Sequence, residues 1–330
     1  MSYWRDKSVL VTGGAGFIGS NLCKNLVYAG AYVTIIDNFE RGKKEYILDI
    51  IDSVELIEGD LKNLDFCLNN LKNVDIVIHM ASKVGGIGLY TSKPYTVMSE
   101  NMLMDSNVLK AVLQNNIKKY FYASSAHIYP KELQGTPDSP AIIEEQAYPA
   151  ESELAYGWAK LISEKEIEYA RVENPDLRVA IARYIGIYGE NQDYDLATGS
   201  CIPVFTNRAI NYPDIPFRIW GTGKETRSYC FIDDAVECTK LMIEKMEELE
   251  QVGPYNVGLQ ERISIGDLAK AVVDVSGKEI NIEYDLTKDT LIWGQWCDCS
   301  KAKEEIGFEA KTSLQEGLKR VYNDIQGRMK

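Results

Sequence analysis

Short apolar runs rich in β-branched residues recur along the first half of the chain, each followed by a stretch whose apolar positions spread to helical spacing. Residues 8–11 form the first such run, and residues 17–29 follow with Phe17, Ile18, Leu22, Leu26 and Val27 on one helical stripe. Further strand-like runs lie at 32–36, 54–57, 75–79, 119–124 and 177–183, separated by helix-like segments at 64–71, 96–114 and 151–170. Strands alternating with helices of this length predict βαβ units, and so an α/β fold built on a Rossmann doubly wound parallel sheet. Beyond residue 189 the pattern turns irregular and rich in Asn, Asp, Gly and Pro as far as Gly223. A helix over 233–249 and a short strand over 255–257 follow, and from Ile263 on the chain reads as a small mixed α/β lobe. The expected division is residues 1–188 plus 228–258 for the sheet domain and 189–227 plus 259–330 for the lobe.

Composition narrows the possible partners. The 330 residues carry a formal net charge of −13, which argues against nucleic acid or an anionic membrane surface, since both attract basic patches. No apolar stretch approaches the roughly 20 residues that span a bilayer, and the first residues lack a signal-peptide core, so the expected location is cytoplasmic. Of seven cysteines only Cys297 and Cys299 stand close together, and the chain has two histidines. Reduced thiols and no metal site are expected.

The first strand run ends in Thr12-Gly13-Gly14-Ala15-Gly16-Phe17-Ile18-Gly19. Gly13 permits a tight turn, Gly16 lets a pyrophosphate approach the backbone, and Gly19 lets the helix pack on the strand. A phosphate would then meet the free amides around Phe17 and Ile18 at the helix N-terminus, which offsets the acidic background of the chain. Asp37, followed by Asn38, closes the second strand, where a carboxylate can hold adenosine ribose hydroxyls and repel a 2′-phosphate. NAD is therefore the expected cofactor, with Arg41 a counter-signal. Asp60 and Leu61, after the third strand, are candidates to meet the adenine, although an Asp there is equally a helix cap.

Tyr156 and Lys160 lie one helical turn apart. Removing a hydride from a carbinol carbon needs a base on the hydroxyl, and a lysine ammonium with a cationic nicotinamide ring would favour the phenolate of a tyrosine whose ordinary pKa is about 10. Ser125, at the carboxyl end of the fifth strand run, is placed to hydrogen-bond the same hydroxyl.

Taken together, TGGAGFIG, the Asp-Asn-Phe after the second strand, Ser124-Ser125-Ala126 before Ile-Tyr-Pro, Tyr-Gly-Trp-Ala-Lys and Thr226-Arg227-Ser228 resemble the extended short-chain dehydrogenase/reductase family of nucleotide-sugar epimerases and dehydratases. The resemblance covers essentially the whole chain. Within that family the segment around Val84-Gly85-Gly86-Ile87-Gly88 and Ala123–Pro130 is similar to the GDP-mannose 3,5-epimerases and, less closely, the GDP-fucose synthases. It implies a tightly held NAD and oxidation at the sugar C4 by Tyr156, Lys160 and Ser125. It also implies a substrate loop at Gly85, Gly86 and Gly88, pyrophosphate contact from Arg227, and a homodimer formed through the helices at 96–114 and 151–170.

Several positions depart from the family. His127 stands where those two relatives carry a catalytic cysteine and 4,6-dehydratases a glutamate, so it is a candidate for proton transfer or for a hydrogen bond to the sugar. Cys201 falls near the epimerases' lysine acid. Gly186 replaces an asparagine that touches substrate phosphate, and Trp293 occupies a stretch that usually supplies arginine, where it or Trp296 could stack on a base. An epimerase acting on a nucleotide-sugar, with a GDP-sugar favoured, is the leading expectation. Its alternatives are a net 4-dehydrogenase releasing a 4-keto sugar and NADH, a 4,6-dehydratase, and a non-catalytic NAD-binding regulator.

Overall fold

The computed structural model, which describes residues 2–288 and 292–330, turns the alternating pattern into alternating structure. The first half supplies strands β1 (Ser8–Thr12), β2 (Tyr32–Asp37), β3 (Val54–Glu58), β4 (Ile76–His79), β5 (Lys119–Ser125) and β6 (Arg178–Tyr184). Helices α1 (Phe17–Tyr28), α2 (Leu64–Asn70), α3 (Ile87–Ser92), α4 (Pro94–Gln114) and α5 (Ala155–Glu173) connect them. The second half has short strands β7 (Ile187–Tyr188), β8 (Arg218–Trp220), β9 (Thr226–Arg227) and β10 (Cys230–Phe231), then β11 (Gln251–Val257), β12 (Ile263–Ser264), β13 (Glu283–Asp285) and β14 (Gly294–Gln295). Its helices are α6 (Cys201–Ile210), α7 (Ile232–Lys245), α8 (Ile265–Ser276), α9 (Ser300–Ile306) and α10 (Leu314–Arg328).

Seven strands join in the order β11-β6-β5-β4-β1-β2-β3, every pair parallel. The two-residue alternation of a strand divides its apolar side chains between two cores. Val9, Val11, Ile35, Ile78 and Phe121 pack with Leu22 and Leu26 of α1 and Met242 of α7. Leu10, Ile36, Val77, Tyr120 and Tyr122 face the other way, onto Cys67 of α2, Val108 and Val112 of α4 and Ile167 of α5. The first core is continuous with the second half of the chain, through Phe205, Phe217, Leu268, Val321 and Ile325. There β12, β9 and β14 form one small sheet, and β8 with β13 another.

Three boundaries differ from expectation by four residues. Helix α5 begins at Ala155, not 151, because Ser152 bridges to Pro130 and its hydroxyl donates to the His127 carbonyl, holding the approach extended. Helix α7 stops at Lys245 as three-residue backbone bonds from Met246 and Glu247 tighten the last turn. Strand β11 starts at Gln251, since its ladder with β6 resumes beyond the irregularity at Gly253-Pro254. A buried bidentate pair, Arg183 Nη2 to Glu164 Oε2 at 2.7 Å and Nε to Oε1 at 3.1 Å, ties β6 to α5.

Candidate active site

Strand order reverses between β1 and β4, and a cavity of about 350 Å³ opens there at the carboxyl ends of the strands, where doubly wound sheets bind ligands. Gly13, Gly16, Phe17, Ile18 and Gly19 line it. Gly13 has φ +67°, and a Cβ on it would sit 2.8 Å from the Ala81 backbone; a Cβ on Gly19 would lie 2.1 Å from the Gly13 carbonyl oxygen. No side chain caps α1 and its first turn holds no acidic residue, so its leading amides are left for an anion.

Asp37 and Asn38 line the same cavity. The Asp37 carboxylate accepts from Ala15 N at 3.0 Å and Phe39 N at 2.9 Å, so the glycine turn and the end of β2 are joined through it. Burial pushes its pKa up while those backbone N–H groups pull it down. Arg41 donates to the Val84 carbonyl at 2.6 Å and to Asp193 at 3.0 Å, which commits its guanidinium away from any 2′-phosphate. Glu40 pairs with Lys83 across the same opening. Leu61 lines the cavity with Gly59 and Lys62, whereas Asp60 lies outside the lining and accepts from Lys62 N at 2.9 Å. Asn63, not Asp60, caps α2. A glycine cradle, a helix N-terminus without a side-chain cap and the Asp37 carboxylate fit NAD, which would supply a hydride acceptor when bound.

Tyr156 and Ser125 line the same cavity with Ser82. Burial raises the Tyr156 phenol to about 12, Asp105 adds to this, and the facing Ser82 and Ser125 hydroxyls oppose it. The expected lysine-lowered phenol is thus absent from the protein alone: burial and the Asp105 carboxylate raise it. Ser125 Oγ accepts from His127 N at 3.2 Å, which leaves its proton free to donate. Lys160 is buried behind Tyr156, with Nζ 3.7 Å from Asp105 Oδ2 and 4.5 Å from the Tyr122 ring centroid. Burial lowers its pKa and Asp105 counters.

His127 lies beyond Tyr156, outside the cavity lining, with ring centroids 5.9 Å apart and edge-to-face. Its Nδ1 is buried and has no hydrogen-bond partner among the described residues. Burial, helped by the charge of Arg227, lowers the imidazole to about 4, so it is neutral at pH 7. Gly157 makes this approach feasible, since a Cβ there would fall 1.9 Å from the His127 carbonyl oxygen. Arg227 is half-buried in β9 and donates to the carbonyls of Thr226 and Ile292, each at 2.8 Å. Cys201 at the start of α6 faces Tyr229, and burial pushes its thiol up to about 12, with Arg227 pulling weakly the other way. Tyr156, His127, Arg227 and Cys201 thus form a chain of neighbours leading from the sheet into the second half of the molecule.

Gly85 lines the cavity, Gly86 caps α3, and a Cβ on Gly88 would meet nothing within 4 Å. Trp293, partly exposed, precedes β14, which pairs with the Arg227 strand; the Trp296 indole donates to the Ser139 carbonyl. Gly186 has φ +54°, and a Cβ there would lie 2.1 Å from the Ser228 carbonyl oxygen, so backbone packing replaces the family's asparagine contact. Sequence reasoning missed Ser82, which donates to Asn101 at 2.7 Å, and Tyr90, whose ring stacks on Tyr156 at 5.4 Å. The position of Ser82 just after β4, at the same sheet edge as Ser125, is the signal that could have found it.

Comparison with known proteins agrees with this fold and with an NAD cofactor. The model of the NAD dependent epimerase/dehydratase family matches residues 9–258. GDP-mannose 3,5-epimerase of Arabidopsis thaliana is 31% identical over 324 residues, covering 97% of this chain and 83% of the relative. UDP-N-acetyl-alpha-D-glucosaminuronate decarboxylase of Bacillus cytotoxicus is 30% identical over 319 residues, covering 95% of this chain and 96% of the relative. The structure of UDP-N-acetylglucosamine 4-epimerase from Methanobrevibacter ruminantium, in complex with UDP-N-acetylmuramic acid, superposes with a TM-score of 0.87 at 26% identity. It covers 98% of this chain and 100% of that one.

Proposed function

The chain belongs to the NAD-dependent epimerase/dehydratase family, and from that premise we propose that it epimerises a GDP-hexose through transient oxidation at C4. It is an NAD-dependent enzyme of the extended short-chain dehydrogenase/reductase type acting on a nucleotide-sugar. The observation that carries the epimerase reading is His127: a neutral imidazole, its Nδ1 unpartnered, edge-on to the catalytic phenol. A ketone at C4 acidifies the neighbouring C–H bonds, and a neutral imidazole at that place can take such a proton, inversion then requiring a proton from a second donor on the other face, for which Cys201 is the candidate. Similarity to a GDP-mannose 3,5-epimerase over nearly the whole chain supports the GDP-sugar.

In this reading Ser125 and Ser82 orient the C4 hydroxyl and Tyr156 takes its proton as the hydride leaves to the bound cofactor. Arg227 meets the pyrophosphate, Gly85, Gly86 and Gly88 shape the loop over the hexose, and Trp293 stacks on the base. The un-ionised Cys201 thiol can give a proton but not take one, and its weak acidity is the observation that keeps a net 4-dehydrogenase as the second reading. Leu103 of α4 and Ile162 of α5 are exposed on the helices expected to pair in a homodimer.

Incubation with GDP-, UDP-, CDP- and dTDP-hexoses, followed by separation of isomers, tests the substrate. Isomers of the GDP-hexose are expected. Turnover confined to UDP- or dTDP-linked sugars would overturn the nucleotide assignment, and stoichiometric NADH with no isomer would favour the dehydrogenase.

A further inference from the structure

Behind the catalytic pair lies a buried polar network. Asp105 interrupts the buried stripe of α4 that includes Val97, Met104, Val108 and Val112, and it is 2% exposed. Its Oδ1 lies 2.9 Å from His79 Nε2; its Oδ2 accepts from the Tyr122 hydroxyl at 2.5 Å and Ser163 Oγ at 2.8 Å and faces Lys160 Nζ at 3.7 Å. Thr12 Oγ1 accepts from Ala81 N and lies 2.7 Å from His79 Nδ1. The hydroxyl therefore donates to Nδ1, and His79 donates to Asp105 through Nε2–H. Burial alone would raise the Asp105 pKa, but Lys160, His79 and Tyr122 together hold it down at about 2. Burial keeps His79 uncharged. The carboxylate is a fixed anion saturated with donors.

We propose that Asp105 is a positioning residue that offsets the charge of Lys160 at Tyr156, so that the phenol becomes a base only while the oxidised, cationic nicotinamide occupies the cleft. The inference rests on the hydride-transfer reading of Tyr156 and Lys160, not on the identity of the sugar. In the forward step the C4 hydroxyl proton passes to the Tyr156 oxygen, and the C4 hydrogen leaves with its electron pair to the bound cofactor. Once that positive charge is gone, the lysine and aspartate again offset each other, and the phenol keeps its proton until the hydride returns. A lone lysine would leave the base switched on in both states.

The other groups around the pair do not supply this control. Glu164 on α5 is bound by Arg183 of β6 and Ser124 of β5; Tyr120 and Tyr122 of β5 are held as phenols by burial. Tyr90 of α3 is likewise un-ionised, its phenol raised by burial. His127 is neutral, and Arg227 faces His127 and Cys201.

The test needs no substrate. Tyrosine labelled with carbon-13 at the hydroxyl-bearing ring carbon reports each phenol's ionisation, and the signal lost in Tyr156→Phe identifies Tyr156. In the wild-type holoenzyme the Tyr156 midpoint is expected to be lower with NAD+ than with NADH. Asp105→Asn and Asp105→Ser, the latter keeping a hydroxyl for the network, should lower the midpoint by about one pH unit with either cofactor form. His79→Gln disturbs the same network without removing the charge and should leave it in place. Midpoints unmoved in both Asp105 variants, an equal shift in His79→Gln, or loss of the fold in both Asp105 variants would each overturn the proposal. Failure to turn over GDP-hexoses would leave this test unaffected.

Discussion

At the scale of single residues, the site divides between groups that local pattern reveals and groups that only packing reveals. Tyr156→Phe removes the proton acceptor and is expected to slow hydride transfer by about a hundred- to ten-thousand-fold while NAD stays bound, measured as single-turnover change in nicotinamide absorbance. Retained turnover would remove Tyr156 from the mechanism. His127→Gln should leave that absorbance change intact but abolish exchange of ring hydrogens with solvent deuterium, read by NMR of the sugar. Tyr156, Lys160 and Ser125 were legible because helical spacing and a strand end put them together before any contact was known. Asp105 was not, since a carboxylate among Met104, Ser106 and Asn107 reads as an exposed turn of helix, and its burial depends on how α4 lies against β4 and β5. The same holds for the Tyr156 phenol: its i+4 lysine suggests a lowered pKa, and the surrounding burial and Asp105 reverse the sign.

At the scale of elements, the proposed role of the β1–α1 turn in holding the cofactor rests on close packing as much as on its dipole. Gly19→Ala would drive a methyl into the Gly13 carbonyl, and a loss of roughly 1–3 kcal/mol with weakened NAD retention is expected. Thermal melts with and without added NAD measure both. The β–α alternation was legible because both periods are strong, and the strand runs named from sequence all lie in the seven-stranded sheet. Element ends were less so, because they depend on distant partners: the Ser152 hydroxyl on the His127 carbonyl delays α5 by four residues relative to its apolar pattern. Gly186 makes the point for function. Restoring the asparagine typical of the family, Gly186→Asn, should lower the melting temperature and not tighten nucleotide binding, because the Ser228 carbonyl occupies the space.

At the scale of the whole molecule, two histidines kept neutral set an acid-side limit on stability. Both have folded pKa values below the ordinary value near 6.5, His127 at about 4, so the unfolded chain binds more protons as pH falls through that window. Stability should therefore decline from about pH 6.5 towards 4, and His127→Gln should flatten the slope of melting temperature against pH. Light scattering of the purified protein is expected to give the mass of a dimer, with Leu103→Glu shifting it to monomer. In the proposed reading His127 adjoins the cofactor cleft from the first half of the chain and Cys201 from the second, so hydride and proton are handled at adjoining places, and epimerisation requires the hydride to come back. The most direct test uses a GDP-hexose carrying deuterium at C4. Epimerised product that retains the label at C4, with no NADH accumulating, is the predicted result; accumulation of deuterated NADH with a released 4-keto sugar would contradict it.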